Sequence, residues 1–455
     1  MSTTDFAPVD PVRRWWWPAT VIASLATLGS SVLLGLGALS LPGLALVVFG
    51  GLGGVGALLW FAPQALIVIG PALIHLPLAW IVFPYEMVFG AFVVVVFLHV
   101  LATRPAWAFR LAPVEVAYLV FMAWALFTGL WVFQVSTYLQ GVRRLLEGAA
   151  SLWLGYRLAR MAPRSWFEAG LLAGAISLTT ATLVRRMSQG LSEKQLLFNR
   201  ASATDLGWGT SNFVATLLLL FTPVLIEMAF RATHRWMRIA SVATVCTIAV
   251  LQFQIASRAA TVLFVLAVLV QLGWGHARRA WWALLVAIAA IAALAASPIG
   301  EGLLARFTNV RDLGSMVIRL WYFREAWRRT LDHLPWGLGL TQGMVYPDKL
   351  QDIDPHNYWL VVTSELGLVG LMLWVVVLVL IHRNLVRILR TPGWEPMGRA
   401  LLVVFWAGQI HTLVEPTFQG VQYEYVYFWL FGGYLGHHAY AVERAPRGPI
   451  ASTSR

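Results

Sequence analysis

Charge is scarce in this chain. Asp, Glu, Lys and Arg together make up 12% of its 455 residues, where a soluble domain carries about a quarter. A chain of this length with so little charge does not divide into two or three soluble cores, so that class is excluded. Cysteine is nearly absent. The single Cys246 lies in an apolar block, which excludes an internal disulfide and any metal site resting on thiolates. Acidic residues are the rarer sign, 21 against 33 basic, for a net charge of +12. Most of the basic residues flank apolar runs, as orientation signals do, so the balance does not point to nucleic acid. Repeats are missing, and so is low complexity beyond short polar tails. A cleavable signal peptide is also missing. Arg13 and Arg14 precede an apolar run without a small-residue cleavage pattern, and that run reads as an uncleaved first span.

What fills the chain instead is hydrocarbon: 59% of residues are hydrophobic and the mean hydropathy is +0.71. The apolar residues come in blocks long enough to cross a bilayer, which takes about 20 residues in a helix. Candidate spans are 19–38, 41–62, 65–83, 86–103, 113–133, 141–161 and 166–184, then 211–230, 239–256, 259–274, 281–297, 359–381, 399–415 and 423–441. The expected fold is all-α, a polytopic transmembrane helix bundle of about twelve to fourteen spans with one large loop containing short helices. The 23 Trp suit the aromatic belts of membrane–water interfaces.

Orientation follows from where Arg and Lys collect. The connectors holding Arg104 and Arg110, 157–164, 231–238, Arg278 with Arg279, and 383–390 are basic. Assigning them to the cytoplasm puts both termini inside. The chain then divides into an N-terminal bundle (1–297), a large outer loop (298–358), C-terminal spans (359–441) and a cytoplasmic tail (442–455). Segments 134–140, 185–210 and the turn Ser257–Arg258 also fall outside.

Those outer segments hold arginines that the orientation rule disfavours: Arg200 in one, Arg258 in another, and Arg319, Arg324 and Arg328 in the long loop. Long loops cross largely regardless of charge, and seven acidic residues in 298–358 offset these arginines. Arg258 has no such explanation, since it sits in a tight turn without an acidic neighbour. Guanidinium groups gathered at one face suit a phosphate or pyrophosphate, whose oxygens the planar fork binds in pairs.

Within the long loop, 315–331 has helical periodicity, with Met316, Leu320, Phe323, Trp327 and Leu331 in one apolar stripe. Such a helix lies along the membrane surface or caps the bundle. A turn follows at Pro335-Trp336-Gly337-Leu338-Gly339. Asp352 and Asp354 form a pair that in isolation carries no metal assignment. His356 then stands immediately before a span. A lone histidine there is ordinarily an interfacial residue, yet its pKa of about 6.5 suits a general base.

The ordered set Arg319-Leu320, Ala326-Trp327, His333 to Gly339, His356-Asn357-Tyr358-Trp359-Leu360 and Glu365-Leu366-Gly367-Leu368-Val369-Gly370 resembles the O-antigen ligase and Wzy-type polymerase superfamily. Arg200 upstream of Gly209-Thr210-Ser211-Asn212, and Ser257-Arg258-Ala259-Ala260 at a turn, agree with it. The resemblance implies a membrane-embedded GT-C type glycosyltransferase working on the periplasmic side of the bacterial inner membrane. Its donor would be a glycan on undecaprenyl pyrophosphate. Its acceptor would be a sugar hydroxyl, on lipid A–core in ligases or on another lipid-linked repeat in polymerases of O-antigen or exopolysaccharide. Membrane lipids surround it, and it needs no metal or nucleotide cofactor. His356 would be the base; Arg258, Arg319 and Arg200, then Arg324 and Arg328, would bind the pyrophosphate, with Asn357 beside them. No carboxylate accompanies the motif at a defined position, which disfavours a covalent intermediate. Glu365, about two and a half turns below His356, and Glu415, near an outer helix end, read as structural or as supports of the site residues. The Arg-x10-Gly spacing of Arg328 and Gly339 recurs at Arg144 and Gly155, so it does not separate ligase from polymerase. A transporter would place ionisable groups near the midplane, often in repeated halves. Here they gather at one surface.

Overall fold

Apolar runs of membrane-crossing length fold as helices because a helix pairs every interior backbone N–H and C=O within itself. The computed structural model describes residues 109–188, 211–255, 257–274, 313–342, 356–415, 418 and 421–444, together with 93, 96, 97, 100, 101 and 104. The spans expected before residue 86, most of the span 86–103, the span 281–297, Arg200 and the pair Asp352 and Asp354 lie outside these residues.

Among the described residues helix is the only regular structure, as expected of an all-α bundle. The helices are α1 (Pro113–Phe127), extended by one 3-10 turn (Thr128–Trp131), α2 (Val135–Ala159), α3 (Arg164–Ser188), α4 (Ser211–Arg231) and α5 (Arg235–Ile255). They continue with α6 (Arg258–Gly273), α7 (Leu313–Asp332), α8 (Tyr358–Arg390), α9 (Glu395–His411) and α10 (Val421–Arg444). Five stretches are long and apolar enough to cross a membrane: Pro113–Trp131, Arg164–Val184, Asn212–Arg231, Arg235–Ile255 and Tyr358–Arg390. Apart from 281–297, the expected spans from 113 onward and the loop helix 315–331 coincide with these helices to within a few residues, except at three ends. Helix α2, expected from 141, already starts at Val135, so most of the connector expected over 134–140 is helical. The helix expected over 399–415 stops at His411, leaving Glu415 in the connector. The span expected to end at 381 runs on to Arg390, because a basic last turn suits a helix C-terminus.

Helices α2 and α10 lie against each other along their length. Their contact is lined by Gly155, Gly432 and Gly436, and a Cβ on Gly155 would stand 2.6 Å from the Trp429 carbonyl oxygen. Small residues four apart let backbones approach where no hydrophobic force between helices is available. At one end of these helices the buried Arg157 donates to the Glu115 carboxylate at 3.1 Å and to the Arg110 carbonyl at 2.7 Å. That joins the start of α1 to the end of α2.

Helix α8 is broken. Gly367 has φ 67° and ψ −169°, a region essentially closed to other residues. The backbone groups released there are taken up by the turn after α7. Leu338 and Gly339 donate to the carbonyls of Ser364 and Glu365 at 2.9 and 2.8 Å, and Leu368 donates to the Pro335 carbonyl at 2.9 Å. The Trp124 indole satisfies the Leu366 carbonyl at 2.8 Å. Glu365, two residues before the break, accepts from the Thr341 amide at 2.9 Å. Through that bond it holds the inserted turn.

A side chain at Gly367 would collide with the backbone of Pro335 and Trp336. Gly367→Ala therefore combines backbone strain with overlap, and is expected to destabilise the protein by about 2 to 5 kcal/mol. The check is the thermal unfolding midpoint in detergent. A midpoint unchanged from wild type would mean that the turn is not locked into the helix.

Candidate functional site

The site forms where the start of α8 meets the end of α9. Asn357 caps α8: its side-chain oxygen accepts from the Leu360 amide at 3.1 Å, satisfying a donor that a helix start leaves open. Its side-chain nitrogen donates to the Leu413 carbonyl at 3.1 Å. The Tyr358 amide donates to the Thr412 carbonyl at 2.8 Å, and the Trp359 indole to the Thr412 hydroxyl at 3.1 Å. These bonds fix His356, whose φ of 48° is left-handed, at the rim of the bundle.

Four elements converge on one carboxylate. The Nδ1 atom of His356 lies 3.2 Å from Glu415 Oε2. The other oxygen, Oε1, accepts from the Asn212 amide at 2.7 Å and from Arg319 Nη2 at 3.1 Å. Asn212 comes from the first turn of α4 and Arg319 from α7. Glu415 is buried while His356 and Arg319 are partly open, with side chains 26% and 41% exposed. Below Glu415, its own amide bonds to the His411 carbonyl at 3.0 Å, and the buried His411 ring meets the Thr216 hydroxyl.

Electrostatics decide the protonation pattern. Burial alone would raise the Glu415 carboxyl, but the His356 hydrogen bond and then the Arg319 charge hold it below the ordinary carboxylate range. An ionised carboxylate only accepts hydrogen bonds, so Nδ1 of His356 is the donor to Glu415, and in the neutral ring Nε2 is then the lone-pair nitrogen. The depressed carboxyl also sets a pH dependence. Its contribution to stability is complete above the unfolded value of about 4.3 and is lost as pH falls through the lower native value. Glu415→Gln is expected to remove that part of the acid destabilisation, read as the unfolding midpoint across the acid range. Parallel curves for both proteins would overturn it.

Placement of the expected residues is mixed. His356 and Arg319 meet at Glu415. Asn357 stands beside them, but its side chain holds α8 to α9. Arg258 opens α6, directly after α5, and connectivity puts that turn at the same end of the bundle as the start of α4 and the end of α9. Arg324 and Arg328 lie on the exposed side of α7, and Arg328 bonds Glu325 at 2.8 Å and Asp332 at 3.1 Å. Asn212 and Glu415 are the residues that sequence reasoning left out of the site. A signal was present for each: Asn212 closes the quoted Gly209–Asn212 run, and Glu415 is an ionisable group at a span end.

Residues 239–375 match the family model described as O-Antigen ligase. No curated protein matches the chain. The matched segment runs from α5 into α8 and contains Arg258, Arg319, His356 and the Gly367 break, whereas Asn212 and Glu415 lie outside it. From α5 through the first half of α8, then, this multi-pass membrane chain is similar to the O-antigen ligase family, which supports the resemblance to the ligase and Wzy-type polymerase superfamily.

Proposed function

We propose that the protein transfers a glycan from undecaprenyl pyrophosphate to a sugar hydroxyl of lipid A–core, on the periplasmic face of the inner membrane. The observation that carries the reading is the junction of His356, Glu415, Asn212 and Arg319. Nε2 of His356 takes the proton of the acceptor hydroxyl. The oxygen attacks the anomeric carbon, the bond to the pyrophosphate oxygen breaks, and undecaprenyl pyrophosphate departs with inversion at that carbon. Glu415 stabilises the imidazolium that forms, as a buried carboxylate does for a catalytic histidine. Both of its oxygens are engaged by His356, Asn212 and Arg319, which favours this single displacement over a covalent intermediate on Glu415.

The leaving pyrophosphate gains negative charge in the transition state, and fixed guanidinium groups stabilise it there. Arg319 keeps part of its guanidinium open beside His356, and Arg258 and Arg200 are its proposed companions. No step requires a metal ion. In this reading 298–358 is the catalytic loop between the two sets of spans, and both termini are cytoplasmic.

The test is transfer by purified protein from a defined undecaprenyl-pyrophosphate oligosaccharide, with lipid A–core present or omitted and with chelator added. Product on lipid A–core in chelator supports the proposal. Longer lipid-linked glycan without lipid A–core would replace it by a polymerase of repeat units, and no transfer to either acceptor would overturn both.

A further inference from the structure

The apolar stripe of α7 faces the wrong way for a helix that caps a bundle. Against the protein α7 buries Ala326, Arg329 and Thr330. Its outward side carries Leu320, Phe323, Trp327 and Leu331, which are 66%, 44%, 50% and 54% exposed. A surface helix in water does the reverse, turning its stripe inward and its charges out. Arg324 and Arg328 border the stripe, also exposed.

The turn that follows this stripe meets a helix long and apolar enough to cross the membrane. Helix α1 crosses the membrane, and its outward residues Val116, Val120, Phe127 and Leu130 are exposed. At the end of α1, Trp131 donates to the Gly337 carbonyl at 3.2 Å, and the Trp124 ring lies 5.9 Å from that of Trp336. Trp336 is itself exposed and follows α7 by four residues. The turn after α7 is thereby tied to the level at which α1 leaves the hydrocarbon. Tryptophans at that level, apolar side chains on one side and arginines beside them describe a helix in the headgroup region.

We infer that α7 is docked on a phospholipid leaflet, with Leu320, Phe323, Trp327 and Leu331 among the acyl chains and Arg324 and Arg328 at the phosphates. The same helix carries Arg319 to Glu415. The bilayer surface thus sets where that guanidinium stands, and the site lies level with the headgroups. The inference rests on the placement of α7 and holds whichever reaction the site performs.

The test uses the full chain with Cys246→Ser, which removes the exposed native thiol, and one new cysteine at a time: Leu320→Cys, Trp327→Cys or Asp332→Cys. Each carries an environment-sensitive fluorophore, and the protein is reconstituted in vesicles of phosphatidylcholine and phosphatidylglycerol. Labels at 320 and 327 are expected to emit at shorter wavelength than the label at 332. Nitroxide groups on the lipid acyl chains should quench them and spare 332. Two stripe positions guard against one variant failing to fold. Stripe labels that behave like 332 would overturn the inference. So would stripe labels shielded from water yet unquenched by nitroxide lipid, because a second copy or another protein would then cover the face.

Discussion

Replacing His356 is expected to lower glycan transfer by about two to four orders of magnitude, the usual contribution of a positioned general base. Two substitutions separate the chemistry from the fold. His356→Ala removes the ring. His356→Asn also removes the base, but asparagine tolerates the left-handed backbone that position 356 adopts at φ 48°. Both should lose transfer, while His356→Asn keeps a cooperative unfolding transition, its midpoint lowered only by the lost bond to Glu415, because Asn357 still caps α8 and holds Leu413. The decisive measurement is the rate of product formation at saturating donor. Near-normal turnover in His356→Asn would remove the proposed base.

Glu415→Gln is expected to slow turnover by about 10- to 100-fold, the range for a partner that orients another functional group. The amide keeps the shape but cannot balance an imidazolium, and it loses the charge that draws Arg319 at 3.1 Å. Residues acting as a unit are not additive. The double variant with His356→Asn should therefore be no slower than His356→Asn alone. Fully additive losses would show that Glu415 acts apart from His356. That cycle also separates a positioning role from a structural one, since general destabilisation would lower both backgrounds equally.

The two predictions concern contacts of very different visibility. His356 stands in a motif whose resemblance can be read directly. Glu415 follows it by 59 residues and Asn212 meets Glu415 across 203, so no local pattern joins them. Glu415 read as structural or as a support of the site, because sequence distance does not give its relation to His356, and no carboxylate stands near the motif in sequence. The packing of α4, α8 and α9 supplies one in space. Asn357 shows the opposite case: adjacency to His356 suggested substrate contact, whereas a helix start claims its side chain for capping.

By itself the sequence determined the membrane class, the all-α architecture, most of the described helices from 113 onward, the turn at Ser257–Arg258 and the loop helix, and it singled out His356 as a candidate. Hydropathy, periodicity and turn residues are local properties, and the bilayer enforces them segment by segment. Tertiary structure alone decided the rest. Gly367 and Gly370 look alike in an apolar run, yet only Gly367 takes a positive φ, because the turn after α7 is there to accept the released backbone. The stripe of α7 was legible as a stripe, but its direction depends on which side meets α8. Glu415 became part of the site because folding buries it between His356, Asn212 and Arg319, where a carboxylate is stable only if its partners surround it.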